Sequence, residues 1–244
     1  MLPRFFAPDA AAPGARVRLP PDESHHAARV LRLREGDEVA LFDGRGHEWQ
    51  GRIAAAAKNG MTIDVLRALA PVREPRIPIV LVQSVLKGDH MDAVVRDATM
   101  AGVVAIVPAL AARTVAPGAA GAKARDRWQR VVLASAKQCR RAVLPDLAAA
   151  APLAAVLDAP EVDRPARIVL AEPTAGTDAV TPRELAAPAS AVVVVGPEGG
   201  WDPGELEMLG ARGYVPLTLG PLTLRADAAA LVAISMLRAT WNDF

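Results

Sequence analysis

Five apolar runs constrain the fold of this chain more than any other feature of its sequence. They are IPIVLVQ (77–83), VVAIVP (103–108), RIVLA (167–171), AVVVV (191–195) and YVPLTLG (214–220). Between them lie segments with helical patterning, at about 89–101, 123–141, 202–211 and 227–240. Apolar strands separated by helices predict a mostly parallel sheet covered on both faces. Ligands of such sheets bind beyond the carboxyl ends of the strands. The loops after Leu170, Val195 and Leu219 are therefore where chemistry is expected.

The texture changes near residue 71. Before it, shorter β-like runs alternate with turn signals: RVRLP (16–20), EVALFD (38–43), EWQGRIAA (48–55) and MTIDVL (61–66), with a hairpin signal at Lys58-Asn59-Gly60. A helical piece, ESHHAARVLRLR (23–34), interrupts them, and the pattern is that of a small β-barrel carrying a short helix. The proline-rich stretch PVREPRIP (71–78) reads as the linker, giving domains at 1–70 and 71–244. With 52% hydrophobic and 23% charged residues, the 244-residue chain has the composition of a folded protein. A single cysteine, Cys139, excludes an intrachain disulfide framework. No charge-free apolar run reaches membrane-spanning length, so a soluble, cytoplasmic protein is expected.

The strand end at Val195 lies within the stretch AVVVVGPEGGWDPGEL (191–206). Gly196, Gly199 and Gly200 let a backbone approach a ligand closely. The loop matches neither the dinucleotide fingerprint nor the P-loop, and Glu198 at its centre would repel a pyrophosphate. A neutral or cationic nucleoside suits it better, and S-adenosylmethionine, with an adenosine, no phosphate and a positive sulfonium, is such a ligand. A tight strand-to-helix turn with Asp202 as N-cap explains the same residues equally well. Downstream, LGPLTLRADAAALVAISML (219–237) runs from a strand end into an apolar helix, with Arg225 at its mouth. There it can reach a ligand or an acidic partner.

Residues 123–141 carry seven Lys or Arg against one acidic residue, Asp126. At 100° per residue, Lys123, Arg127, Arg130, Lys137 and Arg141 share one face, and Trp128, Val132, Ser135 and Cys139 lie roughly opposite. Such a row suits a phosphate backbone. Arg4, Arg29, Arg32, Lys87 and Arg140 complete the cations expected to meet RNA. The four histidines (His25, His26, His47 and His90) have no Cys/His/Asp set at ligand spacing, so no metal is expected, and none sits in the three strand-end loops.

These pieces together resemble the ribosomal RNA small subunit methyltransferase E family, which methylates N3 of a uridine in 16S rRNA. The likeness runs along almost the whole chain. It includes RFF (4–6), HHAARVLRLREGD (25–37), LFDG (41–44), KGDHMD (87–92) leading to AGVVAIVP, RW (127–128) and QCRR (138–141). It continues with VGPEGGWDPGE (195–205) and LGPLTLRADAA (219–229). The resemblance implies an α/β protein: an N-terminal PUA-like RNA-binding barrel, then a SPOUT methyltransferase domain with a parallel sheet and a deep trefoil knot, an exception to unthreaded topology. It implies three cofactor loops around S-adenosylmethionine. Leu170, Glu172 and Pro173 would come from the first, Val195, Gly196, Pro197, Glu198, Gly199 and Gly200 from the second, and Leu219, Gly220 and Leu224 from the third. It further implies a homodimer acting on 16S rRNA, within the small ribosomal subunit.

Two departures from the family pattern stand out. Leu224-Arg225-Ala226-Asp227-Ala228-Ala229 replaces LRTETA, removing two hydroxyls and shortening a glutamate. Asp97 stands where the family tends to have Lys and Lys137 where it has Glu, so a swapped ion pair is expected between them. In the implied reaction the N3 proton of the imide must leave. Arg225 is the candidate to stabilise the anion, and Asp227 or Glu198 the candidate base. A weakened catalyst that serves as an RNA-binding or ribosome-assembly protein, and a methyltransferase acting on another RNA or on ribose, are the rival readings.

Overall fold

The computed structural model describes residues 2–57, 60–114, 120–173 and 178–244. The chain forms two compact units, Met1–Glu74 with Leu133–Leu144, and Pro75–Val132 with Pro145–Phe244. They are not two consecutive stretches: residues 133–144, well inside the C-terminal part of the sequence, belong to the first unit.

The first unit is built on five strands, β1 (Arg4–Phe6), β2 (Arg16–Arg18), β3 (Glu38–Phe42), β4 (Glu48–Ala57) and β5 (Gly60–Leu69), in the order β1-β3-β4-β5-β2. The β1–β3 pair is parallel and the others antiparallel. Strand β5 shows why they form: Met61, Ile63 and Val65 alternate with Thr62 and Asp64, and period two sends the apolar set into one core with Phe5, Val17, Leu41 and Ile53. Of the hairpin turn expected at 58–60, Lys58 and Asn59 lie outside the described residues.

The helix expected over 23–34 ends early. Helix α1 (Pro21–His25) gives way to a π-helical turn over His26–Val30, in which the Leu31 amide bonds the His26 carbonyl at 3.1 Å. Arg32 then adopts a left-handed φ of 55°, and the chain doubles back so that Leu33 packs on the core and its amide meets the Ala27 carbonyl. Packing of the half-buried Leu33 on the core overrides the helical pattern and leaves Val30 and Leu31 exposed.

In the second unit, strands β6 (Ile79–Ser84), β7 (Ala105–Leu110), β8 (Asp146–Leu147), β9 (Ala151–Pro152), β10 (Ala166–Leu170), β11 (Ala191–Val195) and β12 (Val215–Leu217) pair in parallel. Their order is β12-β10-β11-β6-β7-β8, with β9 also on β7. The two-residue strands β8 and β9 carry too little pattern to be read from sequence. One face of the sheet (Val80, Val82, Val107, Val192, Val194) buries against α4 (Leu153–Leu157) and residues of α5 (Pro203–Ala211) such as Leu209. Helix α6 (Ala226–Thr240) packs on β6 and β11 and against α2 (His90–Met100). Both faces of the central strands are therefore covered, so β6 and β11 are buried at every position; β11 reads as an unbroken apolar run and β6 as one through Val82.

A buried ion pair closes this unit. Arg238, at the end of α6, meets Asp243 at 2.7 Å with both side chains 1% exposed. Arg238 also donates to the carbonyls of Ala101, Gly102 and Ile77, while Asp243 accepts from the amides of Arg76 and Ile77. Every charge is hydrogen-bonded, the condition under which such burial is tolerated.

Candidate functional site

Because β12, β10, β11 and β6 are adjacent and parallel, their carboxyl ends deliver four loops to one edge of the sheet. Around them lies a cavity of about 520 Å³, a size typical of small-molecule sites. Its walls are the segments Leu170–Pro173, Gly196–Trp201 without Gly199, and Leu222–Asp227, with Leu219 and, from the start of α2, His90.

The glycine loop is shaped by side chains it does not have. A Cβ on Gly196 would lie 3.0 Å from the Trp201 indole, which packs beneath it and donates from Nε1 to the Leu170 carbonyl at 2.8 Å. Gly200 has φ of 70°, and a Cβ there would come 2.8 Å from Glu172 Oε1. The loop then enters α5 through a capping box. The Asp202 carboxylate accepts from the Gly204 amide at 3.0 Å, and Glu205 reaches back to the Asp202 amide at 3.1 Å. The capped turn and the ligand cradle coexist. Glu198 accepts from the Lys87 backbone amide at 3.2 Å, so it braces the loop after β6 while still lining the cavity.

At the mouth, Arg225 is the N-cap residue of α6, and its guanidinium pairs with Asp227 through two contacts of 3.1 Å. The same Nη2 lies 3.1 Å from His90 Nδ1, and His90 lies 3.6 Å from the Asp227 carboxylate. Partial burial raises the Asp227 carboxyl, but hydrogen bonding and charge from Arg225, its own amide and His90 outweigh this and hold it below the usual range.

Most of the residues expected at the cofactor loops line this cavity: Leu170, Glu172, Pro173, Gly196, Pro197, Glu198, Gly200, Leu219 and Leu224, with Arg225 and Asp227. Three do not. Val195 is buried in β11, Gly199 faces Arg113, and Gly220, at φ of 124°, makes the turn beyond Leu219. His90 and Trp201 line the cavity unanticipated. KGDHMD is the signal that held His90; it follows β6, whose carboxyl end belongs with the other three.

The cationic set fares differently. Lys87, Lys123, Arg130, Arg29, Arg32 and Arg140 are exposed. Arg127 forms an ion pair with Asp92 at 3.1 Å and is half-buried. Arg4 and Arg141 are corrected: Arg4 is buried against Glu48 at 3.1 Å with its guanidinium over the Phe42 ring, and Arg141 is buried against Glu74 at 2.7 Å. Neither can face a phosphate. Helix α3 (Ala122–Cys139) stops before Arg141, and Lys137 is held by Glu23 at 2.8 Å, so the row of cations is not continuous. Nor does the swapped pair form; Asp97 bonds Arg96 at 2.7 Å and Lys137 has Glu23.

Residues 73–238 match the RNA methyltransferase domain family, and residues 19–66 match the RNA methyltransferase PUA domain. The chain is 34% identical, over 98% of its length and 93% of the relative's, to ribosomal RNA small subunit methyltransferase E of Mycobacterium bovis. It is 32% identical, over 92% and 73%, to the protein of that name from Synechocystis. Among solved structures, ribosomal RNA small subunit methyltransferase E of Neisseria gonorrhoeae, bound to S-adenosylmethionine, superposes with a TM-score of 0.88 at 28% identity, over 99% of this chain and 98% of that one. With this likeness along its whole length, the chain belongs to the ribosomal RNA small subunit methyltransferase E family.

Proposed function

We propose that the chain methylates N3 of a uridine in 16S rRNA, within the small ribosomal subunit, using S-adenosylmethionine as methyl donor. The observation that carries this reading is the charge of the cavity. Among its described lining residues are three carboxylates, Glu172, Glu198 and Asp227, against one guanidinium, Arg225. That balance suits a sulfonium and opposes a dinucleotide. The cradle fits as well, because a Cβ at Gly196 or Gly200 would intrude where a nucleoside has to lie close to backbone. The bound cofactor of the Neisseria relative supports the same assignment.

S-adenosylmethionine supplies a methyl group on a positively charged sulfur. The protein's own residues handle the proton. In the free state Arg225 neutralises Asp227 and makes it a weak base. When uracil enters, Arg225 moves from Asp227 to a uracil oxygen. The Asp227 carboxyl then rises and takes the N3 proton, while the guanidinium stabilises the developing imide anion. His90, which lines the cavity beside Arg225, donates from its ring to the second carbonyl of the base. Glu198, held by the Lys87 amide, keeps two loops in register. Alignment of donor and acceptor contributes most of the acceleration, roughly 7–11 kcal/mol. The working form in this reading is a cytoplasmic homodimer with a PUA-like barrel and a knotted cofactor site.

Tritiated S-adenosylmethionine and small ribosomal subunits from cells lacking this protein provide the test, with wild type and Arg225→Ala compared and the labelled RNA digested to identify the base. Label on N3 of one uridine, lost in the variant, is expected. Transfer to a ribose or to another base would overturn the assignment, and cofactor binding without transfer would mark a retired catalyst.

A further inference from the structure

The first unit contains a second cavity, of about 480 Å³, between the α1–π turn segment and the β4–β5 hairpin. Its floor is Met61, which is 2% exposed. The polar groups at that floor are satisfied: the Met61 amide donates to Ser24 Oγ, and the Ser24 hydroxyl donates to the Leu19 carbonyl. What remains is an apolar surface with Leu33 behind it. Small residues keep it open. Gly60 contributes no side chain, and Ala28 stands on the opposite wall beside His25 and Arg29.

Its electrical character is one-sided. His25 and Arg29 are the chargeable side chains among its described lining residues, and no carboxylate is among them. The Arg18 guanidinium approaches as well, with Nε 3.2 Å from where a Gly60 Cβ would stand. The backbone beside it is costly. A π-helical turn and a left-handed arginine, Arg32, leave Val30 and Leu31 facing water, 61% and 42% exposed. Unfavourable backbone of this kind gathers at functional sites.

An apolar slot with an imidazole and a guanidinium on its wall fits a flat, apolar-faced group attached to an anion. We infer that this cleft holds one unpaired nucleobase of single-stranded RNA, stacked against His25 and resting on the exposed Ala28, Ala56 and Ala57, with Arg29 on the adjoining phosphate. Proteins read single-stranded RNA by this combination of stacking and phosphate contact. The inference rests on the proposal that RNA is the substrate. It adds a base-binding site apart from the one that would hold the methylated uridine.

The test is fluorescence anisotropy with the full chain, fluorescein-labelled decauridylate, and an abasic ribose-phosphate chain of equal charge. Wild type is expected to bind decauridylate about 5–150-fold more tightly than the abasic chain, the range that stacking of one base gives. Ala28→Trp, at an exposed position, fills the cleft and is expected to abolish that preference without changing the salt dependence. Arg29→Ala is expected to reduce the slope of log K against log salt by about 0.7. His25→Ala, a second exposed substitution, should reduce the preference as Ala28→Trp does. Equal affinity for both chains, a preference that survives Ala28→Trp, or competition by decaglutamate as strong as by decauridylate would each overturn the inference. Calorimetric binding of S-adenosylmethionine, unchanged in all three variants, separates this outcome from failure of the methyltransferase reading, which would show as no cofactor binding in wild type.

Discussion

Gly200→Ala tests whether the cavity is shaped by backbone conformation. At φ of 70° an alanine sits in the left-handed region, at a cost of about 1–2 kcal/mol. Its Cβ would lie 2.8 Å from Glu172 Oε1, closer than such contacts occur. The glutamate end is flexible and can yield, so the clash adds little to the loss of stability. It does displace a side chain that lines the cavity. A loop that relieves the strain by leaving the left-handed region must return to it when cofactor binds, and 1–2 kcal/mol then corresponds to roughly 5–30-fold weaker binding. Gly210→Ala is the internal comparison. It lies in the last turn of α5 with ordinary φ and nothing within 4 Å of its Cβ, so it should stabilise by about 0.4–1 kcal/mol. Urea unfolding followed by circular dichroism, and calorimetric titration with S-adenosylmethionine, read both effects. A Gly200→Ala protein with wild-type stability and unchanged Kd would refute the argument that this conformation builds the site.

Three further outcomes are expected. Trp201→Phe removes the donor to the Leu170 carbonyl and leaves that acceptor unpaired, so it should lose about 1–3 kcal/mol in the same urea experiment; a neutral substitution would mean that water replaces the indole. Arg238→Met strands the buried Asp243 carboxylate, and about 3–5 kcal/mol should be lost, whereas a loss under 1 kcal/mol would show that the pair opens readily. The folded-state shift of Asp227 is downward, so its stabilising contribution is complete above the ordinary aspartate pKa of about 3.9 and disappears as pH falls through the lower folded value. The stability gap between wild type and Asp227→Asn should accordingly be constant from neutral pH down to about 4 and close below it, and a gap that widens in acid would reverse the assigned sign.

The sheet was legible because β6 and β11 are covered on both faces and therefore spell themselves as apolar runs, unbroken in β11 and through Val82 in β6. The glycine loop was legible because Gly196 and Gly200 occupy positions that a side chain would fill. Partnership was not. Arg4 and Arg141 look like any surface cation until Glu48 and Glu74, 44 and 67 residues away, are brought to them by folding. Lys137 likewise shares a helix face with Arg130, and nothing in that spacing announces Glu23. His90 escaped because Gln83 and Ser84 end β6 without a glycine signature, and only the strand order shows that this end adjoins the others. The π turn escaped because one added residue per turn breaks the 3.6 period that identifies helices.

The Arg238–Asp243 clasp has a consequence for the order of events in folding. It ties residues 238–243 to carbonyls and amides 136 to 167 positions earlier in the chain, at the entrance to β6 and the turn after α2. Contacts so distant in sequence form late, because a long loop must close before they contribute. During synthesis, β6 emerges from the ribosome well before its clasp exists, with an apolar strand whose neighbour β11 is also still unmade. The clasp can close only after residue 243 has left the exit tunnel, and strand β6 is made long before the partners that cover it.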